Sequence, residues 1–175
     1  EEWKPLLNLP VGLDEGAELR ASYLGRTHEL NLQATVPTLW LREHELRGVT
    51  LSLDQHELRL STEARLANGT HVQGLGLYTR FSTDSLHTEI DLGRDVSKRQ
   101  HNGYVNIGAK LRQHLAPETG QRSVGFDVAI DPSTVRVHSD TWSIAPAHLS
   151  YHRGELHVEG LDLASSERRI SISGA

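Results

Sequence analysis

The sequence contains neither cysteine nor methionine in its 175 residues. Without cysteine, a disulfide scaffold and a thiolate metal site are both excluded, and no redox signature of a compartment remains. Position 1 is Glu, and the chain starts at Glu1-Glu2-Trp3 with no signal peptide or anchor. It therefore reads as one β-rich segment, residues 1–175, of a longer protein. Aromatics amount to only 5%, with two phenylalanines. A compact sandwich leans on large aromatics to fill the space between its sheets, so their scarcity points to an apolar surface that stays open. No run approaches the roughly 18 apolar residues of a membrane span. Basic excess is missing as well: the formal net charge is −5 and the pI about 6.1. That leaves no basic stripe to neutralise phosphates, and argues against a nucleic-acid partner. Mean hydropathy is −0.45, that of a soluble chain.

What the sequence does have is alternation. Leu58, Leu60, Thr62, Ala64 and Leu66 form one every-second-residue row; Leu86, Thr88, Ile90 and Leu92 form another; Val124, Phe126, Val128 and Ile130 a third. A β-strand sends successive side chains to opposite faces, so each row is one apolar face. Behind the first row stand Arg59, Ser61, Glu63 and Arg65. The pattern predicts an all-β chain whose sheet is apolar on one side and wet on the other.

The same reading places the remaining strands. Residues 1–16, with Pro5, Pro10, Gly12 and Gly16, form an irregular lead-in. Strands are expected at 17–25 (Leu19, Ala21, Tyr23), 29–36 (Leu30, Leu32, Ala34, Val36, ended by Pro37), 39–41 and 46–53 (Val49, Leu51, Leu53). Asn68-Gly69 predicts a type I′ hairpin turn into a strand over 72–81, where Gly74 and Gly76 suggest a bulge. The polar stretch 91–103 reads as a mobile loop. Residues 106–114 fit helix or strand, and Gly103 and Gly108 favour strand, with Val105 and Ile107 on its apolar face. Short strands come next at 124–130, 134–137 (Val135, Val137), 142–144 (Trp142, Ile144), 148–151, 155–158 (Leu156, Val158) and 169–172 (Ile170, Ile172), with turns at Arg153-Gly154 and 165–168. Neighbouring strands with tight turns predict an antiparallel meander.

Chemistry is harder to find. Of eleven histidines, His28, His44, His56, His71, His87, His101 and His138 stand singly. His148 and His152 would lie about 13 Å apart along a strand, too far to share a zinc ion at ~2.0–2.1 Å. Asp127, Asp131, Glu155 and Glu159 read as water-facing decoration, with no pair set across a cleft. There is no GxSxG elbow, phosphate-cradling glycine loop or HExxH. Asn68-Gly69-Thr70 has the spacing of a glycosylation acceptor, which its turn role already explains. Trp3, Trp40 and Trp142 are too scattered for a sugar-stacking platform, and Trp142, alternating with Ile144, is expected to face inward. The expectation is a non-enzymatic protein with no metal and no cofactor.

The closing third carries Asp131-Pro132-Ser133, Val135, Val137, Asp140-Thr141-Trp142-Ser143-Ile144, Leu156-His157-Val158-Glu159-Gly160-Leu161 and Arg169-Ile170-Ser171-Ile172-Ser173-Gly174. Together with Val36-Pro37-Thr38-Leu39 and Leu46-x-x-Val49-x-Leu51, these resemble the β-rich body of the TamB translocation and assembly module proteins, of the AsmA-like group and the long Bacteroidetes type. The resemblance implies an elongated meander curled into a taco-like trough with an apolar interior. It implies a periplasmic segment of a parent anchored in the inner membrane, supporting phospholipid transport between the membranes or outer-membrane protein assembly. The implied partners are phospholipid or unfolded outer-membrane protein strands, with a BamA-like outer-membrane protein contacted through another part of the parent. No catalytic residues are implied. The groove would be lined by the apolar rows named above, and open strand edges would favour self-association of the fragment. Three other readings fit the same alternation: a closed sandwich or barrel acting as a ligand-binding or adhesin-like module, a β spacer with no ligand, and a small hydrolase.

Overall fold

A computed structural model describes residues 11–115, 122–137, 140–152 and 155–174. The strands are β1 (Val11–Leu13), β2 (Glu18–Leu24), β3 (Glu29–Leu41), β4 (His44–Leu53), β5 (Glu57–Arg65), β6 (His71–Phe81), β7 (Ser85–Asp95), β8 (Gln100–His101), β9 (Tyr104–Leu115), β10 (Arg122–Ile130), β11 (Ser133–Val137), β12 (Asp140–Ile144), β13 (Ala147–His152), β14 (Glu155–Ala164) and β15 (Arg169–Gly174). They form one 15-stranded sheet. Every pairing whose register is defined is antiparallel. The fold is thus an all-β meander that does not close, and no helix occurs among the described residues. A closed sandwich would need a second sheet, and the described residues contain none.

Two compact units divide the chain: Glu1–Gly76 with Gly93–Gln100, and Leu77–Leu92 with His101–Ala175. In the first unit, β2 stands against β3 from Glu18↔Thr35 to Leu24↔Glu29, and β3 against β4 from Leu32↔Leu53 to Leu41↔His44. β3 does not stop at Pro37. The ring is accommodated because the strand beyond it is interrupted there: β1 ends at Leu13 and β2 starts at Glu18, so little ladder bonding is lost. Gly16, in the gap between β1 and β2, lies beside the ring, and a Cβ there would sit 3.7 Å from Pro37 Cγ.

In the second unit, the order β9-β10-β13-β14-β12-β11 conceals a simpler arrangement. β10 and β11 are one strand line broken at Asp131-Pro132, and β12 and β13 another broken at Ala145-Pro146. Pairing runs from Phe126↔Tyr151 to Ile130↔Ala147 and resumes in the same register from Ser133↔Ile144 to Val137↔Asp140. The same holds on β14, which meets β13 from His152↔Glu155 to His148↔Glu159 and β12 at Ile144↔Leu163. Across the gap the Ala145 N–H still donates to the Asp162 carbonyl at 2.9 Å. Proline removes a donor and bends each line without costing the ladder its register.

Several sequence expectations need correction. The 91–103 stretch is not a loop: β7 runs to Asp95, and β8 comes after the 96–99 turn. The Asp95 carboxylate holds that turn by accepting from the N–H of Ser97 and of Lys98 and from the Ser97 hydroxyl. β14 continues past Val158 to Ala164, and the lead-in contains β1. The Asn68-Gly69 hairpin forms, but as a type I turn with a glycine bulge. Gly69 N–H donates to Leu66 O at 2.8 Å, and only Gly69 has positive φ (81°) while Asn68 does not. Asn68 serves the turn through its side-chain oxygen, which accepts from Thr70 N–H. The Ser165–Arg168 turn is as expected. The expected turn at Arg153-Gly154, Trp3 and His138 lie outside the described residues.

Candidate functional site

Cross-strand register decides which side chains share a face. In the first unit, Leu19 stands opposite Ala34, Ala34 opposite Leu51, and Leu51 opposite Leu60. Ala21, Leu32, Leu53 and Leu58 make the next row; Tyr23 faces Leu30, and Val36 faces Val49. All of these were expected to line one surface, and the sheet brings them onto one face of this unit.

In the second unit, Leu86 faces Ala109, then Val128, Leu149 and Val158 in succession. Ile90 faces Val105; Ile107 faces Ile130, and Ile130 faces Ala147. Phe126 stands between Leu111 and Tyr151, which it stacks on at 5.3 Å between centroids, and Tyr151 faces Leu156. Val124 and Leu92 belong to the same alternations as Phe126 and Ile90. Past the breaks, Val135 faces Trp142, while Ile144 faces Leu163, which faces Ile170, and Leu161 faces Ile172. Trp142 is half-buried on this face. Val137 pairs with Asp140 through its backbone, and its side chain lies outside the described residues.

The face survives the breaks through an extra residue. In β4, Leu51 opposes Leu60 and Leu46 opposes Ala64, with a bulge between Arg47 and Thr50. Leu60 and Ala64 share a face of β5, so Leu46 and Leu51, five apart, share it too. Gly48, at φ 57°, takes up the turn. In β14, Val158 opposes Gly174 and Leu161 opposes Ile172, with Gly160 at φ 72° between them. A bulge places two residues against one and re-aims the strand beyond it. Period-two reading therefore missed Leu39, Leu46, Leu161 and Leu163, whereas Ala109 and Leu111 continue the Val105–Ile107 alternation and the register adds Leu149 to the same face. The signal that locates some of them is a three-residue step in the apolar row beside a Gly or Pro, as at 36→39, 46→49 and 158→161.

Little covers this face. Among the described residues the buried apolar set is Ala64, Val72, Val135 and Ala147, and no large side chain is fully buried. Leu19 is 68% exposed, Tyr23 62%, Val124 56% and Leu111 49%. In the second unit an open recess of ≈ 400 Å³ is walled by Phe81, Leu86, Leu111, Phe126 and Val128 beside the Ser82–Asp84 turn.

The opposite face is charged. Glu18–Arg20, Glu45–Arg47 and Glu57–Arg59 form ion pairs at 3.2, 2.8 and 2.9 Å, each two apart along a strand with a leucine between them facing the apolar side. This Glu-Leu-Arg unit recurs at 18–20, 45–47 and 57–59, a repeat that the alternation alone did not single out. Asp127 does not face water freely, since its side chain is only 14% exposed and is paired with Arg112. Asp162 is clamped by Arg169, whose hydrogen bonds hold its carboxyl below the usual range and raise the guanidinium. Asp54 is likewise held low by the N–H groups of His56 and Glu57. Histidines serve this scaffold. His44 accepts from Ala67 N–H at 3.2 Å, His71 meets Glu63 at 3.3 Å, and His101 meets Asp91 at 2.8 Å.

The arrangement offers apolar contact on one side and ion-paired solvation on the other. Comparison with protein-family models, with curated proteins and with solved structures found no match for this chain.

Proposed function

We propose that this chain is a non-enzymatic conduit or scaffold segment of the TamB type, within the AsmA-like group, acting in the periplasm of a Gram-negative envelope. Its cargo is phospholipid acyl chain or an unfolded outer-membrane protein strand in transit between inner and outer membranes. The parent is held at the inner membrane and meets a BamA-like partner elsewhere along its length. The observation that supports this reading is the apolar face itself, continuous across paired strands in each unit and, among the described residues, uncovered by a second sheet and without a convergent polar group. Acyl chains need only apolar area, and each buried methylene contributes roughly 0.8 kcal/mol.

The test is capture of a fluorescent phospholipid by the purified protein. Leu60→Asp and Ile90→Asp place charge on the apolar face, one in each unit, and each should weaken capture by at least about tenfold, the equivalent of about 1.4 kcal/mol. Arg59→Asp and Glu89→Lys alter the opposite face and should leave capture unchanged. Equal loss from both faces, or no capture by the unaltered protein, sinks the proposal.

A further inference from the structure

The first unit ends on one side in β2, which pairs with β3 along Glu18–Leu24 and, among the described residues, with no other strand. All seven of its residues are exposed. Its pairing with β3 runs without a register shift, whereas the β14–β15 ladder is interrupted by the bulge between Val158 and Leu161. Natural edge strands are blunted by proline, by a bulge or by a charge pointing inward. β2 has no proline, bulge or inward charge: its apolar row is Leu19, Ala21 and Tyr23, and its two edge charges, Glu18 and Arg20, sit on the other face and neutralise each other. The Tyr23 hydroxyl is hydrogen-bonded to His28 Nδ1 at 2.9 Å, which holds the ring at the strand's end.

The geometry points to a second copy of this chain as the occupant of this edge, related by a two-fold axis perpendicular to the sheet through Ala21. A two-fold contact must be self-complementary, and β2 meets that demand. About Ala21, Leu19 of each copy faces Tyr23 of the other, an aliphatic–aromatic pair of the kind that stabilises antiparallel strands. Arg20 faces Ser22 and Glu18 faces Leu24; the two Arg20 side chains lie diagonally across the axis, each neutralised by its own Glu18 at 3.2 Å. The operation keeps both apolar rows on one side, so the pairing extends the apolar face as well as the backbone ladder. This inference stands independently of any cargo.

The absence of native cysteine makes the register directly testable. Antiparallel partners stand ~4.5–5.5 Å apart at Cα, inside the span a disulfide can bridge. Ala21→Cys should give a disulfide-linked dimer on mild oxidation, and Ile172→Cys on β15 should not. Sedimentation of the unaltered protein should show concentration-dependent dimerisation. Leu19→Lys and Tyr23→Glu should each weaken it at least tenfold, and the double variant should recover most of the loss. Circular dichroism of each variant separates edge effects from unfolding. A monomer at the highest soluble concentration, cross-linking at 172 as efficient as at 21, or no recovery in a folded double variant overturns the proposal.

Discussion

Asp95 shows how a single polar side chain sets a loop. It is 6% exposed, yet all three of its hydrogen bonds come from Ser97 and Lys98. The Ser97 hydroxyl, ahead of the two backbone donors, holds its carboxyl below the ordinary value. A carboxylate with a depressed pKa contributes stability that is present above its unfolded value near ~3.9 and is lost as pH falls through the folded value. Asp95→Asn should therefore flatten the acid limb of a stability–pH curve below about pH 4. Coincident acid limbs for Asp95→Asn and the unaltered protein would refute this. Thr79, also 6% exposed, bonds to the Thr88 hydroxyl at 3.0 Å. Thr79→Val alone strands one hydroxyl and should cost about 1–2 kcal/mol; adding Thr88→Val should recover part of it. Chemical denaturation of the double-mutant cycle reads the difference directly.

At the level of strands, much was legible. The rows Leu58–Ala64, Leu86–Leu92 and Val124–Ile130 became β5, β7 and β10, because one buried-side residue in every two is a strong signal. The misreadings have identifiable reasons. Pro37 reads as a terminator, and only its neighbours' interruption lets β3 pass through it. The polar composition of 91–103 hides a hairpin whose bonds are supplied by Asp95 and the backbone. The apolar positions beyond each break were missed because the bulge adds a residue and the alternation resumes out of phase. Within each unit the paired residues of these rows share a side, since register is set by the same alternation that identified them.

The breaks themselves can be probed by substitution. Gly160 sits at φ 72°, and a Cβ there would lie 2.9 Å from the Pro146 carbonyl oxygen. Gly160→Ala should destabilise by about 1–3 kcal/mol through left-handed strain, whereas Gly108→Ala, which meets nothing within 4 Å, should be near neutral; thermal melts of the two compare them. Similarly, Val135→Asp, at a site 7% exposed, should lower the melting temperature far more than Val124→Asp at 56%. If the two shifts match, Val135 is not part of a packed interior.

At the largest scale, the exposed apolar set against four small buried apolar residues among the described ones distinguishes this fold from a sandwich. ANS should fluoresce on the native protein, and added phospholipid should compete it away. A dye-silent native protein would mean that the face is covered in solution. Function was less legible than fold because, among the described residues, the face carries no convergent polar side chains for a motif to mark.

The meander has one thermodynamic consequence. Its strands bond to those beside them in the winding, so stabilisation is assembled from nearest-neighbour increments, as in repeat arrays. Heat or denaturant should then peel strands inward from β2 and β15, with outer amides exchanging hydrogen well before those of β9 and β10. Exchange protection graded from the edges to the middle of the sheet is the expected signature, and uniform protection would count against it.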